Sequence, residues 1–508
     1  MLVAAFAAGG CGGQASSPPP RHPLAAGAAA DLRRVAGLRI AGAHAGDAIG
    51  GRIAAAGDVN GDGLADLIIG SPTSSRSTPF AGTAYVVYGR RRTANVDLAN
   101  LGGGGFRIDG AQAGDRIGEA VDGAGDVNGD GLDDLVVGSS TIDARGPNSD
   151  SGAAFVVFGS RSPADVRIDR LGARGFEIPG ARPNDLTAEA VAGAGDVDGD
   201  GREDVIIGSP DALGGKGAAD VVFGPHPSAA RPTAPVDLAH PGDRARRLVG
   251  EVAGGETVRD DAGSSVAGVG DIDRNGYDDM MVGAVVRTPL GRSEAGTAYV
   301  VRGPVRPGPP LALGRLGRRA LEIDGAHPGD NAGFALAGLG DVDGDRHADL
   351  GLTAPASLLA GGGHGYAVFG GRKDARFGAQ LDLRRLGRGG IAIDAPEPKA
   401  RLATIAGPGD VDGDGRADIL VGLPRLGAGR GGAYLVRGGP GGTIPLARPS
   451  PRTIPIRGAH RGDLAGTAVA GPGDVNSDHR PDLAIGAATA DPHGRTAAGE
   501  VWVIEGIP

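Results

Sequence analysis

Asp58-Val-Asn-Gly-Asp-Gly-Leu-Ala-Asp66, running on into Leu67-Ile-Ile-Gly70, decides how the rest of the chain is read. Oxygen-bearing side chains occupy loop positions 1, 3, 5 and 9, Gly63 holds position 6, and position 7 can add its main-chain carbonyl. Hard oxygen ligands on a flexible loop suit Ca²⁺, which takes roughly six to eight of them. The spacing matches the start of a helix-flanked calcium loop. Position 12, where such a loop needs Glu, is Ile69. The residues after Asp66 are β-branched and apolar, which predicts a buried strand rather than a helix. The stretch reads as a metal-stapled turn between two strands.

The pattern occurs seven times, which turns a common Asp/Asn/Gly turn into an architectural signal. Position 1 is Asp58, Asp126, Asp196, Asp271, Asp341, Asp410 and Asp474, at intervals of 68, 70, 75, 70, 69 and 64 residues. Position 3 is Asn60, Asn128, Asp198, Asp273, Asp343, Asp412 and Asn476. Position 5 is Asp62, Asp130, Asp200, Asn275, Asp345, Asp414 and Asp478. The carbonyls of position 7 belong to Leu64, Leu132, Arg202, Tyr277, His347, Arg416 and Arg480. Position 9 is Asp66, Asp134, Asp204, Asp279, Asp349, Asp418 and Asp482. Three or four carboxylates crowded into each loop repel one another without a cation. The expectation is therefore up to seven structural Ca²⁺ ions.

Each copy sits in a unit of about seventy residues with four strands. In the second unit these are the small-residue run 117–123, Leu135-Val-Val-Gly138, Ala153-Ala-Phe-Val-Val-Phe158 and, from the preceding turn, Phe106-Arg-Ile-Asp109. Glycine follows each copy of the third strand, at Gly89, Gly159, Gly224, Gly303, Gly370, Gly438 and Gly506. Small side chains on the innermost strand suit a crowded central axis, and four-stranded units repeated radially make a β-propeller. The last unit stops after its third strand, while Leu38-Arg-Ile-Ala41 is a fourth strand with no unit before it. Pairing of Leu38–Ala41 with 501–505 would complete the last blade and close the ring, leaving no exposed sheet edge.

The fold class expected is all-β: a seven-bladed propeller over 31–508, after a leader (1–11) and a Gly/Ser/Pro/Ala tether (12–30). The apolar run before Cys11, the only cysteine, resembles a bacterial lipoprotein signal with Cys11 as the lipidated residue. Nucleic-acid binding gains no support: the net charge is −10, and no basic stripe interleaves with the 3 % of aromatic residues.

The residues also carry a resemblance. Ile49-Gly50 and Ile117-Gly118, the Asp-Val-Asn-Gly-Asp-Gly loop, and Gly70-Ser-Pro72, Gly208-Ser-Pro210 and Ala354-Pro355 resemble the FG-GAP repeats of the integrin α-subunit propeller. That resemblance implies Ca²⁺ in loops on one face and ligand contacts on the other. Its departures are a calcium loop in every blade and non-glycine residues at position 6, Arg346 and His479. Those two loops are expected to be the weakest, since position 6 calls for a left-handed turn. Arg461-Gly-Asp463 reads as an ordinary repeat turn, and His44, His327 and His460 as repeat-structural histidines, since copies on different blades cannot share one metal. The function expected is a monomeric, non-enzymatic, extracytoplasmic binding or adhesion module, secreted or lipid-anchored at the bacterial surface, for a protein or glycan partner. The alternative is a hydrolase or lyase with its site at the central channel.

Overall fold

The computed structural model of the protein describes residues 29–35, 37–76, 78–92, 94–162, 164–226, 233–251, 259–355, 362–371 and 380–507. The expected leader with Cys11, and nearly all of the tether, lie outside them. Seven antiparallel sheets stand around one axis. Blade one runs outward as Arg52–Gly57, Asp66–Ser71, Thr83–Val87 and Gly105–Asp109. Blades two to six repeat it from the inner strands Ala120–Gly125, Ala190–Gly195, Ala262–Gly270, Leu336–Gly340 and Thr404–Gly409. Blade seven takes Val469–Gly473, Asp482–Ala487 and Glu500–Ile504 from the end of the chain and Gly37–Ala41 from its beginning. The closure is antiparallel, with Leu38 opposite Val503 and Ala41 opposite Glu500, as the unmatched strands require.

The second strand of every blade is wholly buried, which is why it reads as a largely apolar run after its leading aspartate. Inner strands are small-residue because neighbouring backbones nearly touch. A Cβ on Gly123 would lie 2.7 Å from the Ala55 carbonyl, and one on Gly268 would lie 2.4 Å from that of Gly193. The apolar core is distributed between blades rather than central. One cluster joins Ile68, Val86 and Phe106 of blade one to Leu135, Val137 and Phe155 of blade two, and six similar clusters complete the circuit.

The structure adds an element to the four-strand reading. In six sheets a short parallel strand, such as Val96–Asp97 against Ile40 and Ala41, lies on the outer edge of the preceding blade. Among the described residues five come from the connection between a blade's third and fourth strands, and the sixth, Ala30–Asp31 against Ile456 and Arg457, precedes the closing strand; each covers backbone groups that an outer edge would otherwise expose. Among the described residues no helix is long and apolar enough to cross a membrane.

Candidate metal centres

Each inner strand ends in a bulge whose last residue is a left-handed glycine, Gly57 (φ +73°) in blade one, and the chain leaves the sheet there to form the loop. The first aspartate then organises the turn. In blade one Asp58 Oδ1 accepts from the N–H groups of Gly61 (2.8 Å) and Asp62 (3.0 Å), and Oδ2 accepts from Gly63 (2.8 Å). Blade three repeats this around Asp196 at 2.7, 3.0 and 2.9 Å. In all seven loops the position 5 side chain accepts from the N–H of position 7, at 2.9 to 3.1 Å. The predicted residues are thus brought into one compact turn per blade.

In four loops, carboxylate oxygens of positions 1, 3 and 9 lie within 4.8 Å of one another and could hold a metal ion: Asp196, Asp198 and Asp204; Asp271, Asp273 and Asp279; Asp341, Asp343 and Asp349; and Asp410, Asp412 and Asp418. The other three loops carry Asn60, Asn128 or Asn476 at position 3, whose amide oxygen is also a hard donor. The donor set is all oxygen, which fits Ca²⁺ or Mg²⁺ rather than a thiophilic metal. A further fit is the buried Oδ1 of Asp273, which has no hydrogen-bond partner within the protein.

Position 9 does more than the sequence suggested. These aspartates are at most 1 % exposed. One oxygen accepts from the glycine that follows the third strand, for example Gly89 N–H to Asp66 Oδ1 at 2.8 Å and Gly370 N–H to Asp349 Oδ1 at 2.8 Å. In six blades the other oxygen accepts from the N–H of position 2, as Val342 does with Asp349 at 2.8 Å; in blade two the donor is Asn128. The residue therefore clamps loop, second strand and third strand together. Burial pushes its carboxyl up to about 7 for Asp66, Asp279, Asp349, Asp418 and Asp482, and to about 8 for Asp134 and Asp204. The neighbouring loop carboxylates push the same way, and the two backbone donors pull back.

Position 6 is left-handed as expected, including Arg346 (φ +71°) and His479 (φ +66°). Position 4 is left-handed too, and there Arg274 (φ +57°) and Ser477 (φ +67°) replace glycine, so the seventh loop has two such residues. Arginines at the end of the third strand also intrude: Arg437 Nε lies 3.0 Å from Asp412 Oδ2, and Arg302 Nη1 lies 3.5 Å from Asp273 Oδ2. The repeat turns are braced from within. Asp463 of the Arg-Gly-Asp stretch is buried and accepts from the His460 N–H at 2.8 Å. Nδ1 of His44, His327 and His460 each lies 3.3 to 3.4 Å from its own turn aspartate.

The family profile described as FG-GAP repeat matches residues 50–87 and 465–504. Phosphatidylinositol-glycan-specific phospholipase D of Mus musculus is 32 % identical over 183 residues, 35 % of this chain and 20 % of that protein. Integrin alpha-PS5 of Drosophila melanogaster is 31 % identical over 157 residues, 30 % of this chain and 14 % of that one. Integrin alpha-V of Gallus gallus is 28 % identical over 233 residues, 45 % of this chain and 19 % of that one. The matches span a fifth or less of these relatives' length.

Proposed function

We propose that this chain, which belongs to the FG-GAP repeat family and forms an integrin-α-like propeller, is a calcium-braced platform that binds a macromolecular partner through the face opposite its metal loops. The observation that carries the reading is a sidedness. Among the described residues the three large apolar side chains most exposed to solvent, Phe80 (58 %), Leu290 (54 %) and Phe334 (42 %), all sit on connections at the end of the blades away from the loops. Phe80 and Leu290 lie between second and third strands, and Phe334 precedes an inner strand. Exposed aromatic and aliphatic anchors on loops held by a rigid scaffold are the usual makings of a recognition surface.

In this reading each loop holds Ca²⁺ as a structural ion, up to seven in all, with the protein's oxygens filling its coordination shell. Such loops in extracellular modules bind at about 10⁻⁴–10⁻³ M, which suits an extracytoplasmic, secreted or lipid-anchored monomer. The partner is a surface protein or glycan. The hydrolase alternative draws on the phospholipase D relative and on Glu189 at the channel mouth. Against it, no histidine lines that mouth among the described residues, and Thr404, Thr467 and Ser265 all donate their hydroxyls to backbone carbonyls.

A pull-down from cell-surface extract with calcium-loaded protein tests the reading. Capture that is lost in Phe80→Ser/Leu290→Ser protein, while an Asp62→Ala variant of one metal loop keeps it in excess calcium, supports it. Capture indifferent to Phe80 and Leu290 would sink it.

A further inference from the structure

The channel opens away from the metal loops through a funnel with a cavity volume of about 690 Å³, to which the inner-strand starts of all seven blades contribute. Its lining is electrically divided. On the blade-six side stand Arg401 and Arg425, and the Arg401 guanidinium lies 5.3 Å over the ring of Phe334. Burial, and then the charge of Arg425, push the Arg401 pKa down, and no carboxylate among the described residues pairs with either guanidinium. Across the ring, blades two and three bring Glu189 and Glu119 together, with Asp211 and Asp261 close by; Arg52 of blade one stands on that wall too, its guanidinium donating to the Glu119 and Gly51 carbonyls and facing Glu189. Two like charges held together beside an aromatic face, with acid kept to the far wall, make an uncompensated anion site.

We propose that this funnel binds an acidic carbohydrate, with its carboxylate on Arg401 and Arg425 and the apolar face of its ring on Phe334. The proposal rests on the platform reading and names the partner's chemistry. The rim decides for a sugar over an acidic peptide. Thr404 Oγ1 donates to the Gly466 carbonyl at 3.3 Å, and Thr467 Oγ1 donates to that of Leu464 at 2.5 Å. With their protons committed, these oxygens present lone pairs, and Glu189 presents more. A ligand that meets them needs several hydrogen-bond donors close beside one anion, which the ring hydroxyls of a uronic-acid saccharide supply, whereas a glutamate side chain has none and the backbone N–H groups of its peptide lie a side-chain length from the carboxylate. The volume lies within the usual range for small-ligand sites, roughly 300–1,000 Å³.

The test is calorimetric titration of the full chain in millimolar calcium with three probes: a glucuronate-containing tetrasaccharide, its carboxyl-reduced neutral form, and a hexaglutamate peptide. Binding of the acidic tetrasaccharide is expected, with at least tenfold weaker binding of the other two. Arg425→Gln and Arg401→Gln should each weaken it at least fivefold with the melting temperature in calcium unchanged, and Phe334→Ala less so. Equal binding of the neutral form, tighter binding of the peptide, or indifference to both arginine variants overturns the proposal. Failure of all three probes while surface-extract capture still depends on Phe80 and Leu290 overturns the carbohydrate assignment and leaves the platform reading standing. Loss of that capture as well would bring down both.

Discussion

Stripping calcium from the ring should cost several kcal/mol of stability, and the size of the loss counts the occupied loops. An ion that binds only the folded loop stabilises by RT ln(1 + [L]/Kd). For a loop with Kd of about 10⁻⁴ M, in the extracellular range, 1 mM calcium contributes about 1.4 kcal/mol. Four loops bring carboxylates of positions 1, 3 and 9 within 4.8 Å of one another, which gives about 6 kcal/mol; if the three asparagine loops also fill, the total approaches ~10 kcal/mol. The assay is urea unfolding followed by tryptophan fluorescence, since Trp502 lies in the closing blade against Arg39, over a calcium series from chelator to 10 mM. Stability plotted against the logarithm of free calcium should rise with a slope that reports the number of ions, and equilibrium dialysis should return the same number. Identical unfolding in chelator and in millimolar calcium, with no ion retained on dialysis, would refute the argument that crowded loop carboxylates require a cation.

Four other outcomes follow from particular contacts. Gly89→Ala places a Cβ 2.6 Å from the Ala65 carbonyl and should cost about 1–3 kcal/mol, whereas Gly63→Ala meets nothing within 4 Å and should cost only about 1 kcal/mol of left-handed strain; equal losses in urea unfolding would contradict the clamp at position 9. Ile40→Ala, fully buried in the closing strand, should cost about 2–4 kcal/mol and raise susceptibility to proteolysis near both termini, and a silent substitution would mean the ring does not depend on that closure. Arg437→Gln removes a cation 3.0 Å from Asp412 and should tighten calcium binding to the sixth loop by roughly fivefold, about 1 kcal/mol; a weaker sixth site would show that the arginine orients rather than competes. Finally, the hydrogen bond from His364 Nδ1 to Asp394 at 2.8 Å raises the imidazole pKa above its usual value. Its stabilising contribution is then complete below about pH 6.5 and fades as pH climbs through the raised value. His364→Thr, the residue that blades one and four use against Asp109 and Asp324, should flatten that dependence, and an unshifted imidazole titration in the parent protein would remove its basis.

What the sequence made legible is what chemistry confines to a short span. The loop ligands fall within nine residues and recur on one period, so their convergence could be read from Asp58 to Asp66 alone, and the unmatched strand at each end announced the closure. The fifth, parallel strand could not be read, because two residues such as Val96 and Asp97 have no pattern and their partner belongs to the blade before. Asp66 looked like one ligand among several; its donor Gly89 lies 23 residues away, and the recurring glycine after each third strand was the signal that pointed to it. The left-handed residues at position 4 were available in the same way, since five loops have glycine there and only Arg274 and Ser477 do not. Arg302 and Arg437 reach their loops only through sheet geometry, and the divided funnel assembles from blades far apart in the chain.

The loops matter to the ring because no blade holds its own loop alone. The carbonyl of position 1 accepts an N–H from position 8 of the next blade, as Ala417 to Asp341 (2.8 Å), Asp278 to Asp196 (3.1 Å) and Ala65 to Asp474 (3.1 Å) show. The carbonyl of position 2 accepts from the residue beyond the next blade's third strand, as Ser160 to Val59 (2.8 Å), Gly439 to Val342 (2.7 Å) and Ile507 to Val411 (2.9 Å) show. Between blades two and three Glu203 donates to Asp126, and between four and five the His347 ring meets the Ile272 carbonyl at 3.3 Å, so every junction is crossed. A loop that splays when its carboxylates repel one another therefore withdraws acceptors from its neighbour as well as from itself. Pro481 occupies position 8 of the seventh blade and has no N–H to give, and the seventh loop is also the one with non-glycine residues at both left-handed positions. The two ends of the chain meet inside that same blade, so loosening on calcium removal should start there: amide exchange in chelator should accelerate first across 474–482 and the Glu500–Ile504 strand, and uniform acceleration around all seven blades would show that the loops fail independently.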